Sequence, residues 1–333
     1  GEPFLVGDGG DEGDRVFGQG GHLGGHGGDD HGADEGCGQE QDQGEGWVNN
    51  LAMMFTSDQA SETYRWLGQV PAMRHWVGGR LAKPLRDDGI TIFNKPWEAT
   101  LEIPLDWMRR DKTGQIQVRI DEMAQRANAH WAKLMTALIE AGEGNTLGTC
   151  YDGQYFFDTD HSEGDSGSQS NDISVDITTT TAPTAAEMET AILTATQQIM
   201  GFKDDQGEPM NESARRFVVM VPTPFMSKAA AALNNPIITT GSASFTNTLV
   251  NLGGFSYQLA INPRLSWTTK FALFRADGGA SAFIRQEEES LQISALAEGS
   301  EEEFKNDRHL YGIKSMRNVG FGFWQKACLV TFT

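Results

Sequence analysis

Apolar side chains recur at helical spacing between residues 115 and 141, as Ile116, Ile120, Met123, Ala127, Trp131, Leu134 and Leu138. Intervals of three and four residues put them on one face of a helix. Gly142 and Gly144 supply the stop. At ~1.5 Å per residue this helix spans roughly 40 Å, the length of a structural spine. A second helix is expected from Thr184, which forms a capping-box pair with Glu187. Its stripe is Met188, Ile192, Ala195 and Ile199, and Gly201 ends it. A short third helix follows Thr223-Pro224, runs to Leu233 and stops before Asn235-Pro236. Upstream of the spine, Ser57 to Val77 reads as a helix interrupted by Pro71, with Tyr64, Trp66, Leu67 and Trp76 as apolar anchors.

Elsewhere the period is that of strands. Ile90 to Phe93 is a β-prone run, and Asn94-Lys95-Pro96 has turn chemistry. Leu101, Ile103, Leu105 and Trp107 then alternate with polar positions. Together these predict a β-hairpin over residues 90–107 that reaches outward, followed by the polar Arg109, Arg110, Asp111 and Lys112 and ending at Gly114. Cys150 to His161 reads as a turn, an aromatic strand and a polar end, and residues 162–172 as an exposed loop. Phe217 to Val221 is a buried-type strand, and residues 203–212 form a charged loop. Phe255, Tyr257, Leu259 and Ile261 alternate, followed by short strands at Phe271 to Phe274, Ala282 to Arg285 and Leu291 to Leu296. The last run, Tyr311 to Phe332, contains the glycine–aromatic pattern Val319-Gly320-Phe321-Gly322-Phe323-Trp324. The order is helix, hairpin, spine, strand and loop, a central α/β unit, then closing strands. The βαβα alternation of a doubly wound enzyme sheet is missing, so the class is α+β.

Composition changes this picture at one end. Residues 1–46 are dominated by Gly, Asp, Glu and Gln, with His22, His26 and His31 interspersed. So little apolar surface cannot offset the entropy of ordering, which predicts a disordered arm. The whole chain of 333 residues is 38% hydrophobic and carries a formal charge of -20. An acidic chain is a poor wrapper of phosphate backbones; the charge is equally compatible with a container wall to which DNA must not adhere and with plain solubility. The three cysteines, Cys37, Cys150 and Cys328, are far apart and odd in number, which predicts reduced thiols and assembly in a cytosol. No apolar run approaches the ~20 residues of a membrane span, and neither a signal peptide nor a membrane partner is expected.

Three separated blocks resemble a known family. They are Arg86-Asp87-Asp88-Gly89-Ile90-Thr91-Ile92-Phe93 with Lys95 to Pro104, Tyr151 to His161, and Gly312-Ile313-Lys314 with Arg317 to Gly322. In this order they are similar to the major head (capsid) subunit of Mu-like phages, the T gene product family, over about residues 50–333. The resemblance implies the Hong Kong 97-type capsid fold. It implies an N-terminal helical arm over 47–84, an extended loop over 85–114 that overlaps an adjacent subunit, and a peripheral domain with the spine helix over 115–174. It also implies an axial domain over 175–262 and peripheral closing strands over 263–333. The implied function is self-assembly into pentamers and hexamers of an icosahedral head around double-stranded DNA, bound without sequence specificity. The implied partners are further copies of the chain, a scaffold or protease, a portal and decoration proteins. The implied setting is the virion, assembled in the bacterial cytoplasm.

Candidate chemistry is sparse. Asp158, Asp160 and His161 have metal-suited side chains, but without a distant fourth ligand they read better as a polar strand end with a hydrogen-bonded histidine. His22, His26 and His31 with Asp29, Asp30 and Asp34 read as disorder rather than a metal trap. No phosphate loop, nucleophile elbow or HExxH helix is present, so no cofactor and no catalysis are expected. Trp97, Trp107, Arg109 and Arg110 are the candidate inter-subunit contacts, since Trp and Arg dominate interface hot spots; packing of the tryptophans within their own subunit is the alternative. The acidic runs Glu287 to Glu289 and Glu301 to Glu303 are either solvated surface or register-fixing contacts to basic neighbours. Two other functions compete with the phage shell: an encapsulin-like cellular compartment of the same fold, and a metal-dependent enzyme centred on Asp158, Asp160 and His161.

Overall fold

The computed structural model describes residues 46–65, 89–240 and 243–333. The expected arm over 1–46 lies outside them except for Gly46, as do residues 66–88, with Trp66, Leu67, Pro71 and Trp76 of the expected first helix. The described chain opens with α1 (Gly46–Leu51), β1 (Ala52–Thr56) and β2 (Ser61–Tyr64). After the undescribed stretch come β3 (Ile90–Phe93), β4 (Lys95–Pro104), α2 (Leu105–Arg110), α3 (Gln115–Asn128) and α4 (His130–Glu140). A small pair, β5 (His161–Ser162) and β6 (Ser168–Gln169), precedes β7 (Asp172–Val175) and α5 (Ala185–Gly201). Then follow β8 (Arg216–Val221), α6 (Met226–Asn234), β9 (Ile237–Thr240), β10 (Ala243–Thr246), α7 (Thr248–Asn251) and β11 (Ser256–Ile261). The chain closes with β12 (Lys270–Arg275), β13 (Phe283–Leu296), α8 (Glu301–Asn306), β14 (Arg308–Phe321) and β15 (Ala327–Phe332).

Two sheets organise these elements. One runs β11-β8-β12-β15-β7 and the other β1-β13-β14-β4. The five-stranded sheet is apolar along its central strands: Phe217 to Val221, Phe271 to Phe274 and Ala327 to Val330 are all buried. Such continuous runs mark strands covered on both faces. Helix α5 packs Met188, Ala191, Ile192, Ala195 and Ile199 into this core, as its spacing predicts. Its capping box is formed as expected, with Thr184 Oγ1 accepting the Glu187 N–H and Glu187 accepting the Thr184 N–H.

Four phenylalanines join the sheets. Phe156 lies 4.9 Å from both Phe283 of β13 and Phe321 of β14, and Phe283 lies 5.6 Å from Phe274 of β12. The long sheet is therefore rooted in the main core at this end. Burial fades outward along β13, from the buried Phe283 and Ile284 to a fully exposed stretch ending at Leu296. Fourteen residues at ~3.3 Å each carry the strand roughly 45 Å.

The spine shows the same gradient. Helix α4 buries Ala132, Leu134, Met135, Leu138 and Ile139, whereas α3 buries no residue fully. The expected single helix is divided at Ala129, whose ψ is 0° and whose N–H still bonds to Gln125 O at 2.9 Å. Immediately after the break, Trp131 docks under two guanidinium groups, Arg317 at 4.9 Å and Arg285 at 5.4 Å from the ring centroid. Those contacts hold the spine to β13 and β14.

Several expected elements are corrected. The helix from Ser57 is replaced, within the described part, by a turn and β2; Tyr64 packs on Phe55 at 5.3 Å and donates its hydroxyl to Gln286 at 2.7 Å. Among the described residues of the arm over 47–84, α1 is followed by β1 and β2. The hairpin over 90–107 is not closed by its own strands: β3 pairs with β2, and β4 pairs with β14. Asn94 carries the chain straight on, held by Gln59 and Ala60. Pro96 and Pro104 are tolerated because β4 is an edge strand. Leu105 and Trp107 mimic strand period but lie in α2.

The aromatic strand before His161 is instead a pair of turns, with Gly153 at φ 86° and Cys150 N–H bonded to Gln154 O. Phe156 and Phe157 are buried by that path. The loop over 162–172 contains β5 to β6 and buries Glu163, Ser166 and Asn171. The two short strands over 282–296 are one strand, β13, with irregular register between Glu287 and Gln292. The closing strands are shared: β12 and β15 lie in the five-stranded sheet, β13 and β14 in the long one.

Candidate assembly surface

The outer half of the long sheet and its tip carry several exposed apolar residues. At its tip, α2 and α8 meet where Leu105 N–H donates to Asp307 O. Arg308 ties the tip together, reaching Glu102 at 2.9 Å and Glu302 at 3.0 Å. Around this frame Ile293 is 69% exposed, Trp107 67% and Phe304 92%. Arg109 and Arg110 are exposed on α2, and Arg110 reaches Asp106 at 3.4 Å. Such a concentration of exposed apolar side chains marks a contact surface.

Lower on the same arm a cleft of about 500 Å³ opens between α3 and the sheet. Its floor is apolar, with Leu101, Met123, Ala127 and Ile313, and its rim carries Arg119, Arg126, Lys133 and Lys314. Glu122 pairs with Arg119 at 2.7 Å and Glu289 with Lys314 at 3.0 Å. Arg126 and Lys133 have no ionic partner among the described residues. The inner wall is built by Trp97, whose indole N–H donates to Arg317 O at 2.9 Å. His130 sits beside it; burial first, then the charges of Arg317, Lys133 and Arg264, lower its pKa to about 4.

The sequence candidates thus divide. Trp97 is packed within its own subunit, while Trp107, Arg109 and Arg110 point to solvent. Of the acidic runs, Glu289, Glu301, Glu302 and Glu303 have ionic partners inside the chain. His161 is buried, 2.6 Å from Asp152 and stacked on Trp324 at 4.0 Å. Asp158 instead turns back to the backbone of Tyr155 and Thr159. Among the described residues no group of three or more His, Cys, Asp or Glu is gathered where it could hold a metal ion. The side chains of that candidate group turn to different partners, His161 to Asp152 and Asp158 to the backbone. The basic cleft was missed in the sequence because its cations are spread over α3, α4 and β14, at positions that are neighbours only in space.

Residues 35–183 and 266–331 match the family described as the Mu-like prophage major head subunit gpT. The chain belongs to this family. Both matched blocks fall on the elements just described: the first holds β1, β4 and the spine, the second β13 and β14. A Haemophilus influenzae protein described as the Mu-like prophage FluMu major head subunit is 37% identical over 114 residues. The major capsid protein of Escherichia phage Mu is 35% identical over 113 residues. Each alignment covers 34% of this chain and 36% of the relative, so the chain spans about a third of the length of these relatives. The capsid of the cyanophage P-SCSP1u superposes with a TM-score of 0.52 at 13% identity, covering 86% of this chain and 87% of that one. That likeness shows the fold, which is the capsid fold of the Hong Kong 97 type. This member of the family is thus an α+β protein whose exposed arm is carried by the family-matched elements.

Proposed function

We propose that this chain is the major capsid protein of a Mu-like tailed phage or prophage and tiles into pentamers and hexamers of an icosahedral head. The observation that carries this reading is the coincidence of the family-matched blocks with a long, outward sheet whose apolar side chains have no cover. A contact between unlike patches on identical copies closes into rings when the rotation closes. Many weak contacts then act together through multivalency. The head encloses double-stranded DNA, and a charge of -20 keeps the wall from adhering to it. The chain acts by assembly rather than catalysis and needs no cofactor.

In this reading the long sheet and the spine are the peripheral domain, and the five-stranded sheet with α5 and α6 is the axial domain. The extended loop is the expected segment over 85–114, with β3 and β4 paired to β2 and β14 rather than to each other. Scaffold or protease, portal and decoration proteins are the partners, and assembly takes place in the bacterial cytoplasm before the subunit enters the virion. Co-expression with neighbouring head genes, followed by sedimentation, tests this reading. Fast-sedimenting particles are expected, and a monomer at every concentration and salt contradicts it.

A further inference from the structure

We propose that the cleft between α3 and the long sheet receives α8 of a neighbouring copy. Phe304 would sit on the apolar floor and the acidic first turn against the basic rim. This rests on the assembly reading above. Helix α8 begins with Glu301, Glu302 and Glu303, which reach Lys305, Arg308 and His309 of their own chain, and then presents Phe304, which is 92% exposed and is the anchor of the docking. A phenylalanine held out on a helix capped by Ser300 and tied down by Arg308 is a preorganised anchor. The cleft offers the complementary pattern. Leu101, Met123 and Ile313 are apolar, and Arg119, Arg126 and Lys133 stand around them. Cations gathered there on a chain of net charge -20 make the cleft a local match for an acidic segment.

The occupant must be a second copy. Within one chain α8 joins β14 at Arg308, whereas the cleft runs from Leu101, paired with Tyr311, to Trp97, paired with Ser315. At ~3.3 Å per residue it begins roughly 10 Å and ends roughly 20 Å along the strand from that junction. The exposure of Phe304 agrees that its own cleft does not hold it. A tip that fits a neighbour's cleft is a heterologous contact, the kind that generates rings.

A cysteine pair tests the docking. Phe304→Cys and Met123→Cys are combined in full-length chain, with Cys37→Ser; Cys150 and Cys328 are buried. After oxidation, assembled particles should yield a ladder of covalent multimers on a non-reducing gel, and either single cysteine variant should not. A second measurement guards against poor cysteine geometry: a benzophenone side chain at position 123 is photolysed in assembled particles and the linked peptide identified by mass spectrometry. Either the ladder or a photoproduct containing Phe304 supports the docking. Particles that give neither overturn it, as does a photoproduct with residues 1–45 or with another protein. If the unmodified chain forms no particles under the same conditions, the assembly reading itself fails and the docking with it.

Discussion

The indole of Trp97 meets the imidazole of His130 edge-on, with ring centroids 4.6 Å apart. This contact joins the edge strand β4 to the first turn of α4, where the spine breaks. The Trp97 N–H to Arg317 O bond and the stacking of Arg317 on Trp131 continue the link across the sheet. The spine and the arm are therefore one mechanical unit, although α3 buries nothing fully.

Trp97→Ala should lower unfolding free energy by about 2–3 kcal/mol, near the low end for large-to-small changes because the ring is only half-buried. Trp97→Phe keeps the ring contact and loses the hydrogen bond, at a cost of about 1 kcal/mol. Urea denaturation followed by circular dichroism measures both.

His130 gives the fold an acid limb. Its pKa is about 4 in the folded chain, against ~6.5 for an unperturbed histidine. Above pH 6.5 the group is neutral in both states and contributes no pH dependence. Between pH 6.5 and 4 the unfolded chain takes up the proton first, so stability falls as pH falls. His130→Gln should flatten the stability profile in that window relative to wild type. Equal slopes for the two proteins would show that the imidazole does not carry the effect.

Gly322 is packed against backbone. A Cβ there would lie 2.7 Å from Ser281 O and 3.0 Å from Ala282 O, and its N–H bonds Ala282 O at 2.8 Å. No side chain can swing away to make room. Gly322→Ala should therefore cost about 1–3 kcal/mol, visible as a lower melting temperature with a retained fold.

Trp107, Arg109 and Arg110 should behave in the opposite way. Trp107 is two-thirds exposed, and no side chain of the three supports the core. Replacing all three by Ala should leave unfolding free energy unchanged within about 0.5 kcal/mol per site, while the yield of sedimenting particles falls. A large loss of monomer stability would instead make them structural residues.

Much of the fold was legible because local rules and tertiary packing agree at the strongest signals. The capping box at Thr184 and Glu187, the stripe of α5, the buried run Phe217 to Val221 and the alternation Tyr257 to Ile261 each form as their spacing implies. The failures come from partners distant in sequence. Nothing near Asn94 tells β3 to pair with β2 and β4 with β14, since those partners lie about 30 and 220 residues away. Leu105 and Trp107 continue an alternating pattern, yet the edge strand ends at Pro104 and the chain coils into α2. The acidic run Glu287 to Glu289 hides a continuous strand, because charged residues are tolerated where the register of β13 is irregular. The site shows the same limit. Exposed Trp107 was visible as a candidate, whereas the cleft depends on α3, β4 and β14 coming together.

The most direct test of the central claim is negative-stain electron microscopy of the full chain, expressed alone and with its neighbouring head genes. Uniform shells, rings or capsomer sheets are the expected result. Dispersed monomers in both preparations, at all concentrations and salts, would contradict the account.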